Sequence, residues 1–350
     1  MKYKLVLENG MVFHGNNFGS TETKVGEICF VTSMVGYQDI LSDPSYFGKI
    51  VCMSYPLIGN YGLTDEDYDF KNIHVLGYVV KENNDLPSNF RSTRTLSDAM
   101  EENRVTGIED IDTRQIVRII RDLGLMKAMI TEDDRNHEEC MNIINNTSID
   151  ENPLDKVSCK KIWYSRTANP LYTIVVVDLG IKTSLVKLFN SYGLNVVVVP
   201  FNSSYEDIIK LKPNGIVFSH GPGNPAKMDN VINLVKSLKG KYPILGLGLG
   251  SEIIALGYGS NVEKMKHGHQ GSNHPVKNVK TNKIEITSQN HFYNIISSGK
   301  EKYEITHVNI LDNDIEGFED KKNKVIGIQY LVQESLQNED IINRFIELMK

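Results

Sequence analysis

The spacing of apolar positions changes character partway along the chain. In the first part, short β-like runs alternate with turns. Lys4 to Leu7 and Met11 to His14 flank Glu8-Asn9-Gly10, and Asn-Gly predicts a hairpin because both residues tolerate positive φ. Further runs of strand character lie at Ile28 to Val31, Ile50 to Met53 and Val75 to Val80. A polar and aromatic segment, Thr32 to Tyr46, ends in a turn around Pro44. Asp112 to Leu123 predicts a helix, with Asp112 as its cap and Ile116, Ile119 and Ile120 along one face. Together these elements predict a small N-terminal α+β domain over 1–145.

Over 146–171 the periodicity fades into polar residues and lysines, which reads as a linker with Trp163 and Tyr164 anchoring part of it. From Tyr172 strands and helices alternate. Ile174 to Val177, Leu194 to Val199, Gly215 to Phe218 and Pro243 to Leu247 read as strands. Thr183 to Tyr192, Tyr205 to Leu211, Val231 to Leu238 and Ser251 to Leu256 read as helices. Such alternation predicts an α/β domain over 172–350, a doubly wound, mostly parallel sheet with helices on both faces. Ligands in that architecture sit at the carboxyl ends of the strands. Two loops fall there: Ser219-His220-Gly221-Pro222-Gly223-Asn224-Pro225, and the turn that follows Leu247.

That second turn organises the chain. A sharp strand-to-helix elbow is where α/β enzymes mount a nucleophile, exposed over the sheet edge. Neighbouring backbone N–H groups and the helix N-terminus can then stabilise a developing oxyanion. Here the tip is Gly248, which has no side chain. Gly246-x-Gly248-x-Gly250 looks like a dinucleotide fingerprint, but Gly-x-Gly-x-x-Gly requires glycine where Ser251 stands. Relief of backbone strain at the tip is the simpler reason for Gly248.

Composition narrows the classes. A length of 350 residues fits two domains, and a net charge of −6 without a basic block argues against nucleic acid as a partner. The apolar runs are of strand length, the N-terminus lacks a signal-peptide pattern, and no membrane association is expected. The 4 cysteines form no Cys-x-x-Cys pair, so a reducing cytoplasm is the expected location. None follows Cys159. His267, His269 and His274 have no acid or thiol beside them in sequence, which reads as a hydrogen-bonded turn and no metal site.

With these residues in view, the chain resembles the class I glutamine amidotransferases, specifically the small subunits of carbamoyl-phosphate synthases. The second half carries the resemblance in Gly221-Pro222-Gly223-Asn224-Pro225, the elbow, His267-Gly268-His269-Gln270-Gly271-Ser272-Asn273-His274-Pro275-Val276 and Ser288-Gln289-Asn290-His291. The first half carries it in Met34-Val35-Gly36-Tyr37-Gln38, Asp43-Pro44-Ser45-Tyr46, Tyr55-Pro56-Leu57-Ile58-Gly59-Asn60, Asn89-Phe90-Arg91 and Asp110-Ile111-Asp112-Thr113-Arg114. The resemblance implies a subunit that hydrolyses glutamine and passes ammonia to a large-subunit partner. That partner makes carbamoyl phosphate for arginine and pyrimidine synthesis. ATP and Mg would belong to the large subunit, leaving no cofactor in this chain.

The chain departs from that pattern where the chemistry lies. The family's Gly-apolar-Cys-Leu-Gly-His-Gln elbow corresponds to Gly246 through Glu252, so Gly248 replaces the cysteine. The family's Gln-Gly-His-Pro-Glu segment corresponds to Gln329 through Gln333, with Leu331 at the base position and Gln333 at the orienting acid. Thiolate attack needs a nucleophile, a base and a group that orients the base. None of the three side chains is retained, and removing such a unit costs ~10⁶ in turnover.

Glutamine-pocket positions implied by the resemblance are Ser45, Gly221, Gly223, Leu249, Glu252, Asn290, Phe292 and Tyr293. Glu252 replaces a glutamine, while Phe292 and Tyr293 replace Gly and Phe. A ring where the family has hydrogen fills space that substrate needs. The expected function is therefore that of a small subunit with its glutaminase lost, whose complex uses free ammonia. The alternatives are an active subunit with an unrecognised nucleophile, or a regulatory pseudoenzyme whose remodelled pocket takes a small ligand or which serves another partner.

Overall fold

The computed structural model describes residues 1–65, 69, 72–297, 299, 302–332 and 339–350. Two compact units divide the chain, Met1–Asp150 and Glu151–Lys350. No helix among the described residues is long and apolar enough to cross a membrane.

The first unit contains strands β1 (Lys2–Leu7), β2 (Val12–Gly19), β3 (Lys24–Val31), β4 (Lys49–Met53), β5 (Leu57–Ile58), β6 (Gly77–Val79), β7 (Glu82–Asn83), β8 (Thr106–Glu109) and β9 (Met126–Glu132). Its helices are α1 (Tyr37–Ser42), α2 (Leu96–Glu102), α3 (Thr113–Leu123) and α4 (His137–Asn146). A closed barrel runs in the order β1-β2-β8-β6-β4-β3-β9, and β5 pairs with β7 apart from it.

The expected hairpin is present. Gly10 has φ 85°, Leu7 N–H donates to Met11 O at 2.9 Å, and Val6 lies opposite Val12. Strand periodicity then sorts the side chains. Leu5, Leu7, Ile28, Ile50 and Ile130 pack with Ile116 and Ile120 of α3. Val6 and Met129 instead meet Cys140 and Ile144 of α4. Each such buried aliphatic side chain contributes about 1.5–3 kcal/mol of transfer free energy. Helix α3 begins as the sequence predicts, with the Asp112 carboxylate accepting from Gln115 N–H at 2.9 Å.

The second unit adds β10 (Trp163–Ser165), β11 (Tyr172–Asp178), β12 (Leu194–Pro200), β13 (Gly215–Phe218), β14 (Ile244–Leu247), β15 (Asn261–Asn278), β16 (Ile284–Ile296), β17 (Glu304–Asn309), β18 (Ile315–Asp320) and β19 (Val325–Ile328). Its helices are α5 (Leu154–Val157), α6 (Thr183–Ser191), α7 (Tyr205–Lys210), α8 (Asp229–Leu238), α9 (Leu249–Gly257) and α10 (Glu339–Met349). One sheet runs β10-β12-β11-β13-β14-β19-β18-β17-β15-β16. Strands β12, β11, β13, β14 and β19 are mutually parallel, and the rest pair antiparallel.

Two apolar layers cover the parallel strands. Val175, Val177, Ile216 and Phe218 pack with α8 and α9 on one face. Ile174, Val176, Val217 and Leu245 pack with α6 and α10 on the other. Burial on both faces explains why these strands read as continuous apolar runs.

One expectation needs correction. Of the linker expected over 146–171, residues 151–171 are built into the second unit. Cys159 N–H donates to the Asp178 carboxylate at 2.7 Å, and Trp163–Ser165 pairs with β12 as an edge strand. The anchoring there comes from the backbone ladder, since Trp163 and Tyr164 are both exposed. Beyond the expected parallel strands the sheet extends into antiparallel strands over 261–320, whose largely polar residues carry no apolar pattern.

The cap at α3 gives a stability test. Asp112→Ala is expected to lower the stability of the first unit by about 1 kcal/mol, read as a shift of its urea transition with an unchanged far-ultraviolet spectrum.

Candidate functional site

Strand β14 runs into α9 through Gly248, whose φ of 51° and ψ of −117° make the turn a nucleophile-elbow bend. A side chain at such angles stores roughly 1–3 kcal/mol of strain, which glycine avoids. Two hydrogen bonds pin the bend. Gly248 N–H donates to Ile328 O at 2.8 Å, and Ser251 N–H donates back to Gly248 O at 2.9 Å. The helix then presses against β13. Gly250 N–H donates to Ser219 O at 3.2 Å, and a Cβ on Gly250 would collide with the Phe218 carbonyl oxygen. The Gly-x-Gly-x-Gly spacing thus has a steric cause unrelated to a phosphate loop.

The loop after β13 lies against the elbow. Ser219 Oγ accepts from Leu179 N–H at 2.9 Å and donates to His220 O at 3.0 Å. Gly221 packs on the Leu179 carbonyl, and Gly223 has φ 102°. His220 is buried. Its Cδ2 lies 2.7 Å from where a Cβ on Gly248 would sit. The imidazole therefore fills the space that a side chain at the elbow tip would enter.

Leu249, at the first position of α9, is buried in the core. Glu252, one helical turn on from the tip, is 2% exposed. Burial pushes its carboxyl pKa up to about 8, and a hydrogen bond from Gln329 Nε2 at 3.3 Å opposes this in part. At neutral pH Glu252 is therefore a neutral acid, close in shape to an amide. Gln329 also donates to Tyr293 O at 3.2 Å and accepts from Ser251 Oγ at 2.6 Å. The Ser251 hydroxyl is fully buried, and the side chain facing it is an amide, which cannot take its proton.

Leu331 follows β19, where Leu331 N–H donates to Ser288 O at 2.9 Å. Its side chain carries no titratable atom. Gln333 lies outside the described residues. Asn290 is buried on β16 opposite Gln270 of β15. Phe292 is buried, with its Cδ1 3.0 Å from where a Cβ on Gly268 would be, and Tyr293 is half-buried. Ser45 belongs to the first unit, buried in the short turn Pro44–Tyr46, with its N–H donating to the Asp43 carboxylate at 2.9 Å.

The structure thus brings Gly248, Leu249 and Glu252 together with the Ser219–Pro225 loop in the second unit. Sequence reasoning missed two members. His220 is one residue of the Ser219–Pro225 loop in sequence, and Gln329 only the head of the Gln329–Gln333 segment. It also missed the acids near the histidine-rich turn. His269 Nε2 lies 2.7 Å from Asp312 and its Nδ1 3.7 Å from Glu316, partners more than forty residues away in sequence. Cys159, the cysteine of this unit, is held as a thiol, its pKa pushed up to about 12 by burial and by the neighbouring Asp178.

The doubly wound sheet, the elbow and the glycine-rich loop facing it define a class I glutamine amidotransferase domain, and residues 175–336 match the family described as glutamine amidotransferase class-I. Residues 5–130 match that described as carbamoyl-phosphate synthase small chain, CPSase domain. The chain belongs to the carbamoyl-phosphate synthase small-chain family. It is 42% identical over 353 residues to the carbamoyl phosphate synthase pyrimidine-specific small chain of Bacillus subtilis, covering 100% of this chain and 96% of that one. It is 40% identical to the small chain of Fusobacterium nucleatum, covering 99% and 97%. A solved glutamine amidotransferase from Thermotoga maritima aligns at 17% identity and TM-score 0.38, covering 50% of this chain and 81% of that one.

Glu252 gives this site a pH signature. Its folded pKa lies above the unfolded value, so between about pH 4.5 and 8 the native state holds a proton that the unfolded state has released. Stability then falls as pH rises through that window. Glu252→Gln is expected to remove the slope and gain about 3 kcal/mol on the wild type between pH 5 and 8. Urea denaturation at both pH values checks this, and a pH-independent difference would show that Glu252 is ionised in the fold.

Proposed function

We propose that this chain serves as the small subunit of a carbamoyl-phosphate synthase without hydrolysing glutamine, and that its complex takes up free ammonia. One observation carries the reading: Gly248 at the elbow tip offers only hydrogen, and His220 stands in the volume a thiol would need. Leu331 at the base position supports it, as does the burial of Phe292 among the pocket positions. The retained role is that of a partner, binding a large subunit and holding it in its working conformation. ATP and Mg chemistry belongs to that subunit. The full-length likeness to small chains supports pairing, and the pyrimidine-specific relative supports pyrimidine synthesis as a destination of the product, with arginine synthesis proposed beside it.

The test is carbamoyl phosphate synthesis by the complex with its large subunit, with glutamine or ammonium as nitrogen donor. Activity with ammonium and none with glutamine is expected. Glutamine-dependent synthesis by the unmodified chain would overturn the reading and favour an unrecognised nucleophile. Failure of the chain to co-purify with a large subunit would favour a regulatory protein.

The elbow adds a second expectation. In Gly248→Cys with Leu331→His and Gln333→Glu, the new thiol meets His220 and glutaminase activity stays low. Adding His220→Ala is expected to raise alkylation of that thiol by iodoacetamide at least tenfold, followed by mass spectrometry. Equal rates would show that His220 does not guard the tip.

A further inference from the structure

We propose that His269, His291 and Glu316 form a binding site for one divalent transition cation of the zinc type, apart from the elbow. The two histidines face each other across β15 and β16, with ring centroids 5.0 Å apart and planes 88° to one another. Glu316 enters from β18, and the three donor atoms lie within 4.8 Å of one another. His269 Nδ1 is 3.7 Å from Glu316 Oε1, and His291 Nε2 is 4.0 Å from Glu316 Oε2. Metal–ligand bonds of about 2.0–2.1 Å at tetrahedral angles place ligand atoms roughly 3.3 Å apart. Closing the two gaps to Glu316 takes about 0.4 and 0.7 Å, within reach of side-chain rotation.

The surroundings orient each donor as metal sites require. A ligating histidine usually gives its other ring nitrogen to a carboxylate or a backbone carbonyl. His269 Nε2 lies 2.7 Å from the Asp312 carboxylate, and His291 Nδ1 donates to Tyr293 O at 2.8 Å. Glu316 Oε1 accepts from Asn309 Nδ2 at 2.9 Å. That leaves His269 Nδ1, His291 Nε2 and Glu316 Oε2 turned toward a common centre. Glu316 is 0% exposed, yet its Oε2 has no hydrogen-bond donor. A buried carboxylate oxygen without a partner is costly, and a cation would relieve it.

Gln289 marks that centre. Its Oε1 lies 3.0 Å from His269 Nδ1 and 2.7 Å from His291 Nε2. With Nδ1–H given to Tyr293, a neutral His291 presents a lone pair at Nε2 to the lone pairs of an amide oxygen. Two acceptors facing each other repel. A cation reached by both resolves the conflict, with the Gln289 carbonyl as a further oxygen donor. The competing arrangement turns the amide over, so that its NH₂ group bridges the two rings and no ion is held.

Titration of the EDTA-treated full chain with Co²⁺, followed in the visible range and by competition with Zn²⁺, tests the site. One equivalent with intense d–d bands is expected. Binding should weaken at least 100-fold in Glu316→Gln, a change that keeps the shape of the side chain. Gln289→Ala, which removes the amide oxygen but keeps the other three ligands, should weaken binding far less than Glu316→Gln. Zn²⁺ should raise the melting temperature of the wild type and leave Glu316→Gln unmoved, which separates a lost ligand from a lost fold. Binding below one equivalent, or unaffected by Glu316→Gln, would overturn the proposal in favour of the turned amide or of surface histidines.

Discussion

The close approach of α9 to β13 is the constraint on which the second unit turns. With the Phe218 carbonyl where a Cβ of Gly250 would be, the helix can descend only if that residue is glycine. This contact fixes the axis of α9 and, through it, the sharp reversal at Gly248. The hydrogen bond from Gly248 to Ile328 then holds the bend against β19, and the Ser219 carbonyl holds the facing loop against the helix. Chemistry at the tip is separable from this geometry. The bend survives with nothing mounted on it, because sterics at neighbouring positions maintain it.

That separation explains what was legible in the sequence. Buried parallel strands and amphipathic helices announce themselves through runs and periodicity, so β11 to β14 and α6 to α9 could be placed within a residue or two. The α3 cap and the β1–β2 turn were equally readable, since Asp112 and Asn9-Gly10 act locally. The antiparallel extension was not. In β15, exposed and half-buried positions outnumber buried ones, and its backbone pairing leaves no apolar signature. At the candidate site, the empty tip was plain from Gly248. The occupation of its volume by His220 depends on a contact between loops nearly thirty residues apart, which no local pattern encodes.

Glu252 shows how burial can silence a charge. A carboxylate introduced among apolar neighbours would bring a full charge into a low-dielectric site. Holding the proton instead leaves a neutral group that still accepts from Gln329. The same Gln329 amide contacts Ser251 and the backbone of Tyr293 and so joins α9 to β16. The polar residues around the elbow thus form a connected, mostly uncharged layer, in contrast with the histidine–carboxylate cluster on β15, β16 and β18.

The position of His220 sets a condition on any side chain at the tip. Its ring lies 2.7 Å from the place where a Cβ at the tip would project. A single codon change that put a thiol there would meet this clash at once, whatever stood at Leu331 and Gln333. The imidazole thus acts as a latch: a side chain at the tip becomes tolerable only after the loop has yielded, so the order of the changes decides whether each can be kept.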